Sequence, residues 1–276
     1  MKAIALIENG TKKGAATEHG LSVYIEYNGR KILLDTGATD LYSGNAMRFG
    51  VKLGEVDACV LSHGHYDHSG GFNSFFALNP SAKVYARAEA RDRCCCLDDD
   101  GKERYIGVPE GLFEKYGDRF VFISDKEKTR LYDGVWLVPH DGRDLSKRAQ
   151  AAQMYRYTPE GRREDDFMHE QSLVFDTDDG LVIFNSCCHA GAENVVDEIR
   201  MQFNQKSVRA LIGGFHLMDE PTENADKITM LGATLNMLEV YDIYTGHCTG
   251  DMAINALRKT LGEKLHIFNA GDVAEF

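Results

Sequence analysis

Ser62-His63-Gly64-His65-Tyr66-Asp67-His68-Ser69-Gly70-Gly71 decides the reading of this chain, because it sets three imidazoles and a carboxylate within six residues, directly after an apolar run. His63 and His65 alternate by two, so both project the same way from an extended segment or its exit loop. Asp67 and His68 follow where the chain turns. One short loop therefore offers two nitrogens to one metal ion and an oxygen and a nitrogen to a second. Borderline ions such as zinc, iron or manganese accept that mixed donor set. A polar loop that merely happens to be histidine-rich would leave the spacing unexplained.

The rest of the chain bounds what such a loop serves. Its 276 residues are 43% hydrophobic, ample for a sizeable core, and we read residues 1–276 as a single domain. No run approaches the roughly 20 apolar residues of a membrane span, and Met1 to Glu8 meets an acid before a secretory core forms, so no membrane partner is expected. The formal charge of -12 argues against a broad nucleic-acid surface, which needs lysine and arginine in excess. An acidic protein still holds an anionic small molecule through local metal charge. Seven cysteines are an odd number, and Cys94-Cys95-Cys96 are neighbours that hardly pair, so a cytoplasmic location is expected rather than a secreted disulfide framework. Without a Cys-x-x-Cys partner, that run reads as small, partly buried residues in a helix or loop. Nothing in the sequence gives the oligomeric state.

Alternating and β-branched runs predict strands near 3–7, 21–27, 31–34, 58–61, 83–86, 120–123, 135–138, 173–175, 181–185, 210–212, 242–244 and 265–268. Asn28-Gly29 and Asp178-Asp179-Gly180 read as tight turns. Helical periodicity covers 193–203, 225–238 and 252–261, the last with Asp251 or Gly250 as N-cap. Strand pairs come first and βα alternation later, which suits two sheets covered by helices on their outer faces. Residues from about 87 to 171 read as the least regular part, an insertion serving as a lid or a solvated excursion. Asp98-Asp99-Asp100-Gly101, Gly107-Val108-Pro109 and the polar run from Pro159 to Asp166 favour loops there.

His-x-His-x-Asp-His followed by Ser-Gly-Gly resembles the signature of the metallo-β-lactamase superfamily. The resemblance covers nearly the whole chain: Ile32-Leu33-Leu34-Asp35-Thr36-Gly37 looks like its first motif, and Thr245-Gly246-His247-Cys248-Thr249-Gly250 like its last metal-binding histidine. Asn185-Ser186-Cys187-Cys188-His189-Ala190-Gly191 and Gly213-Gly214-Phe215-His216-Leu217 resemble a narrower branch, which contains the dihydropterin–ribofuranosylaminobenzene phosphate synthase homologues. The resemblance implies an α/β (α+β) fold, the four-layer αββα sandwich, with a metal site at one edge of its two sheets.

It also implies roles. His63 and His65 would hold a first metal, Asp67 and His68 a second, and His247 matches the terminal histidine of the second site. A strand ending in Gly-Asp usually supplies a bridging carboxylate, but here that strand end reads Asn185-Ser186-Cys187-Cys188. Cys187 is then either a thiolate ligand, which would select zinc over hard ions, or a packing residue. The third ligand of the first metal is His189 or His169. His189 is favoured because it follows the strand directly, whereas His169 reads as a loop histidine beside Glu170. His216 is expected in the pocket as a substrate contact or proton donor, with the preceding glycines allowing close backbone approach. Asp35 is expected to accept a hydrogen bond from a metal-bound histidine. His19, His140 and His266 have no partner motif.

The implied cofactor is one or two divalent transition-metal ions, zinc first and manganese or iron as alternatives. The implied function is a metal-dependent hydrolase or transferase acting on a small, phosphorylated metabolite through metal-bound hydroxide, with Asp67 orienting the water. Two other classes remain open: a non-catalytic ligand sensor that keeps the metal, and a di-iron redox enzyme. His65 weighs against the latter, whose members usually carry a carboxylate at that position.

Overall fold

The computed structural model describes every residue except 12–13, 99, 142–144 and 219–223, so Asp99 of the acidic loop lies outside the described residues. The strands are β1 (Lys2–Ile7), β2 (Ser22–Tyr27), β3 (Arg30–Leu34), β4 (Ala58–Val60), β5 (Lys83–Arg87), β6 (Arg93–Leu97), β7 (Glu103–Tyr105), β8 (Phe120–Ile123) and β9 (Thr129–Tyr132). They continue with β10 (Val135–Pro139), β11 (Met154–Thr158), β12 (Gly161–Glu164), β13 (Gln171–Thr177), β14 (Gly180–Phe184), β15 (Val208–Ile212), β16 (Val240–Thr245), β17 (Leu265–Ile267) and β18 (Val273–Glu275). The helices are α1 (Leu41–Arg48), α2 (Tyr66–Ser69), α3 (Phe72–Leu78), α4 (Leu112–Tyr116), α5 (Leu145–Ala151), α6 (Ala192–Gln202), α7 (Ala225–Met237) and α8 (Asp251–Leu261). Among the described residues no helix is long and apolar enough to cross a membrane. The chain divides into two compact units: Met1–Ser124, Ser146–Glu170 and Asn269–Phe276 form the first, Asp125–Leu145 and Gln171–Phe268 the second.

The first unit holds a seven-stranded sheet in the order β18-β1-β2-β3-β4-β5-β8. Its β2–β3 hairpin turns through Asn28 and Gly29 at φ 47° and 75°, the paired positive values that a two-residue turn of matching twist requires. From β3 onward the neighbours run parallel, so the chain must cross over between them. Crossovers α1 and α3 bury Tyr42, Ala46, Phe72, Phe75 and Phe76 against Leu6, Leu33, Cys59 and Val84 of the strands.

The second unit repeats the scheme with the order β17-β16-β15-β14-β13-β10-β9. Val195, Val196 and Ile199 of α6, Ile228 and Leu235 of α7, and Ala253 and Leu257 of α8 share one core with Val174, Ile183, Leu211 and Ile243 of the strands. Every residue of β14 is buried, as the unbroken apolar run Leu181–Phe184 foretells.

Residues 87–171 are more regular than the sequence suggests. Strands β12-β11-β6-β7 form a third, antiparallel sheet within the first unit, and Cys94–Cys96 lie buried on β6 rather than in a helix or loop. Charge hides these strands. Arg93, Glu103, Arg104, Arg162 and Arg163 occupy them, and even the buried Arg156 of β11 reads as a surface residue until Asp92 and Asp166 are seen at 2.8 and 2.7 Å from its guanidinium.

The loop that carries the decisive motif leaves β4 and runs into α2. It is pinned from behind: the Gly70 N–H donates to Gly37 O at 2.9 Å, and a Cβ on Gly70 would lie 1.9 Å from Ala38 O. Gly117, by contrast, has helical φ and open space around its Cα. Gly70→Ala should therefore cost at least about 2 kcal/mol in denaturant unfolding, while Gly117→Ala should be neutral or slightly stabilising. Equal effects would contradict this account of the loop.

Candidate metal centre

In the first unit the motif side chains converge beyond the end of β4. The His63 ring centroid lies 4.6 Å from that of His65 and 4.2 Å from that of His68, and all three residues are buried. Asp35, at the end of β3 with φ 59°, organises them. Its Oδ1 accepts the Ser62 N–H at 2.7 Å, and its Oδ2 accepts the Ser62 hydroxyl at 2.7 Å and His68 Nδ1–H at 2.8 Å. With that hydroxyl spent on Asp35, Ser62 Oγ accepts from His63 Nδ1–H at 2.8 Å. Both bonds keep the proton on Nδ1, so Nε2 is the nitrogen each ring turns toward a metal, directly in neutral His63 and after loss of its second proton in His68.

Charge at this cluster is uneven. Burial opposes ionisation of His68, but Asp67 and Asp35 outweigh it and push the pKa up to about 10. Asp67 Oδ2 lies 3.3 Å from His68 Nε2 and 3.4 Å from the exposed His19, which the sequence left unassigned. Burial drives the pKa of His65 down to about 3 and keeps that ring neutral. Three imidazoles and a carboxylate gathered in the first unit are the donors that a borderline divalent ion takes once His68 gives up its extra proton.

His169, the alternative third ligand, is hydrogen-bonded at both ring nitrogens in this unit. Its Nδ1 accepts the Gly64 N–H at 3.1 Å, and its Nε2 donates to Asp165 Oδ2 at 3.1 Å. Burial opposes a charge on this ring and Asp165 favours one, but the Gly64 N–H needs a lone pair on Nδ1 and decides for the neutral form. His65, Cys94, Asp165 and His169 are all buried and bring one potential ligand atom each within 4.8 Å of one another, a group that could hold an ion. Cys94 and Asp165 were not singled out in the sequence, since only the third sheet brings them there.

In the second unit, Cys187, Cys188 and His189 follow β14, His216 follows β15 and His247 follows β16. The His189 and His216 rings lie 4.4 Å apart. Among the described residues ten non-glycine residues have positive φ, and Asp35, Cys188, His216 and His247 are four of them. Such strain gathers where function over-determines the backbone. Gly213 and Gly214 serve the chain itself: Cβ atoms there would meet Asn185 O at 1.7 Å and Cys248 Sγ at 2.4 Å. Cys248 was overlooked although it adjoins His247. Burial resists its ionisation, but a hydrogen bond with Cys187 and the nearby His247 and His216 bring its pKa down to about 6, and the His216 N–H donates to its Sγ at 3.3 Å.

With this geometry in view, residues 16–150 match the family model of the metallo-beta-lactamase superfamily. The chain is 27% identical, over 94% of its length and 90% of the relative's, to the 7,8-dihydropterin-6-methyl-4-(beta-D-ribofuranosyl)-aminobenzene-5'-phosphate synthase of Methanocaldococcus jannaschii. A solved metal-dependent hydrolase of the beta-lactamase superfamily superposes with a TM-score of 0.84 at 27% identity, covering 100% of this chain and 99% of that one. A diphosphatase of the PhnP family shares the fold alone, with a TM-score of 0.55 at 15% identity over 100% of this chain and 97% of its own. The fold is thus the mixed α/β fold expected from the sequence.

Metal uptake should carry the signature of His68. A raised pKa means that the metal-free protein holds a proton there at neutral pH, which an incoming ion must displace. Zinc affinity measured against a competing chelator should therefore rise about tenfold per unit between about pH 6 and pH 8. A flat profile would contradict the assignment. In the same assay His65→Ala should weaken binding at least about tenfold, whereas His169→Ala should keep the full metal stoichiometry.

Proposed function

Because the chain belongs to the metallo-β-lactamase superfamily, we propose that it is a metal-dependent enzyme, a hydrolase or transferase acting on a small, phosphate-bearing metabolite. The observation that carries this reading is the pair of tautomer locks, Ser62 on His63 and Asp35 on His68, which hold buried imidazoles ready to ligate. A bound divalent ion, zinc in our reading, supplies an activated water and positive charge against anionic oxygens. His63 and His65 would hold a first such ion, and Asp67 and His68 a second, through imidazole nitrogens and one carboxylate. In the second unit, His189 and His247 are the ligand residues that the motif resemblance implies, and Cys187 is the thiolate candidate.

The chain's own groups have distinct tasks. Asp67 orients the attacking water as well as ligating. His216 contacts the substrate or donates a proton to the leaving group. A net charge of -12 leaves the protein without a general cationic surface, so neutralisation of a phosphate falls to the metal. The synthase relative, whose name includes a 5'-phosphate, supports that substrate class. An odd number of cysteines, three of them consecutive, supports the proposed cytoplasmic location.

Metal-loaded protein should accordingly turn over phosphodiesters, phosphomonoesters or phosphorylated pterin precursors with a higher kcat/KM than lactones, neutral esters or β-lactams. Preference for an uncharged lactone would refute the substrate class. Asp67→Asn, which keeps size but removes charge, should lower kcat at least about a hundredfold while circular dichroism stays unchanged. His216→Ala should impair activity with metal content intact, and parallel loss of metal would make His216 a ligand.

A further inference from the structure

A run of buried hydrogen bonds in the second unit belongs to none of the motifs. It starts at Glu198 on α6, whose carboxylate lies 3.0 Å from Nδ1 of His140, just past β10. His140 Nε2 lies 2.8 Å from Oγ of Ser172 in β13. Ser172 Oγ is 2.9 Å from Asn185 Nδ2, at the end of β14, and Asn185 Oδ1 accepts the Cys188 N–H at 2.7 Å. His140, Ser172 and Asn185 are all buried, and a half-satisfied network in such a place would be costly.

The direction of each bond follows from chemistry. The Cys188 N–H requires the Asn185 oxygen to face it, so the amide nitrogen faces Ser172 and donates. An ionised carboxylate only accepts, so Nδ1 of His140 carries the proton, Nε2 is the acceptor, and the Ser172 hydroxyl donates to it. Each donor meets one acceptor from Glu198 to the backbone of Cys188. Serine, histidine and glutamate in this order resemble a nucleophilic triad, but Ser172 is 0% exposed and its oxygen already accepts from Asn185. No substrate carbonyl reaches it.

The end of the chain of bonds gives its purpose. Cys188 sits at φ 48°, a conformation that a non-glycine residue holds only under constraint, and it lies between Cys187 and His189. Asn185 fastens its N–H, and the Gly191 N–H fastens its carbonyl at 2.7 Å. We propose that Glu198, His140, Ser172 and Asn185 are positioning residues, a relay that holds the strained Cys187–His189 turn in shape for metal binding. The metal part of this inference rests on the proposed function.

The test compares Ser172→Ala, which breaks the relay in the middle, with Ser172→Thr, which keeps the hydroxyl. Two quantities are read: hydrogen exchange of the Cys188 amide in metal-free protein, and the affinity and visible spectrum of bound cobalt. Ser172→Ala should speed Cys188 exchange and weaken cobalt binding, each about tenfold, and alter the cobalt bands, while Ser172→Thr restores all three. Exchange and cobalt binding within twofold of the unsubstituted protein would overturn the relay. If Ser172→Ala does not fold, Glu198→Ala, whose parent side chain is 21% exposed on α6, carries the same comparison. Failure of the unsubstituted protein to bind cobalt would instead overturn the metal-enzyme reading. The Cys188 exchange rates would then decide alone whether the relay holds the turn.

Discussion

A buried carboxylate cannot be left without donors, and the arrangement around Asp35 follows from meeting that demand. It is wholly buried at the end of β3 and receives Ser62 N–H, Ser62 Oγ–H and His68 Nδ1–H. Those three bonds set the exit direction of β4, the tautomer of His68 and, through Ser62, the tautomer of His63. A second carboxylate, Asp67, adds negative charge beside His68. Two acids around one buried ring call for a compensating cation, and either a proton on His68 or a divalent ion supplies it. Proton and metal thus compete for the same place, which links the electrostatics of the loop directly to its proposed chemistry.

The second unit solves a different problem with backbone rather than charge. Its candidate residues stand on turns just past β14, β15 and β16, and several take positive φ without being glycine. Gly213 and Gly214 let β15 pass close against Asn185 and Cys248, where any side chain would collide. Side chains then hold what sterics would release: Asn185 caps the Cys188 amide, and Thr249 Oγ1 accepts the Phe215 N–H at 3.0 Å. Helices α6, α7 and α8 supply the apolar mass behind these turns.

Most strands and the three C-terminal helices were legible because their buried faces follow strict periods, as in Leu181–Phe184 or the α8 set Ala253, Ala256, Leu257 and Leu261. The His63–His68 motif was legible because its spacing is local. What escaped was non-local or charge-masked. The third sheet hides behind arginines whose partners lie far away in sequence, and Arg156 is buried only because Asp92 and Asp166 meet it. The bond from the Gly64 N–H to Nδ1 of His169, 105 residues away, is equally invisible in the sequence. His140 reads as ordinary because Ser172 and Glu198 come to it only through folding.

The central claim is that the tautomer-locked imidazoles of this loop ligate a transition metal, and X-ray absorption of the zinc-loaded protein addresses it most directly. The account predicts a first shell dominated by imidazole nitrogens at about 2.0–2.1 Å, with the outer-shell scattering of intact rings, and loss of part of that scattering in His63→Ala. A shell of sulfur alone, or of oxygen without ring scattering, would contradict it.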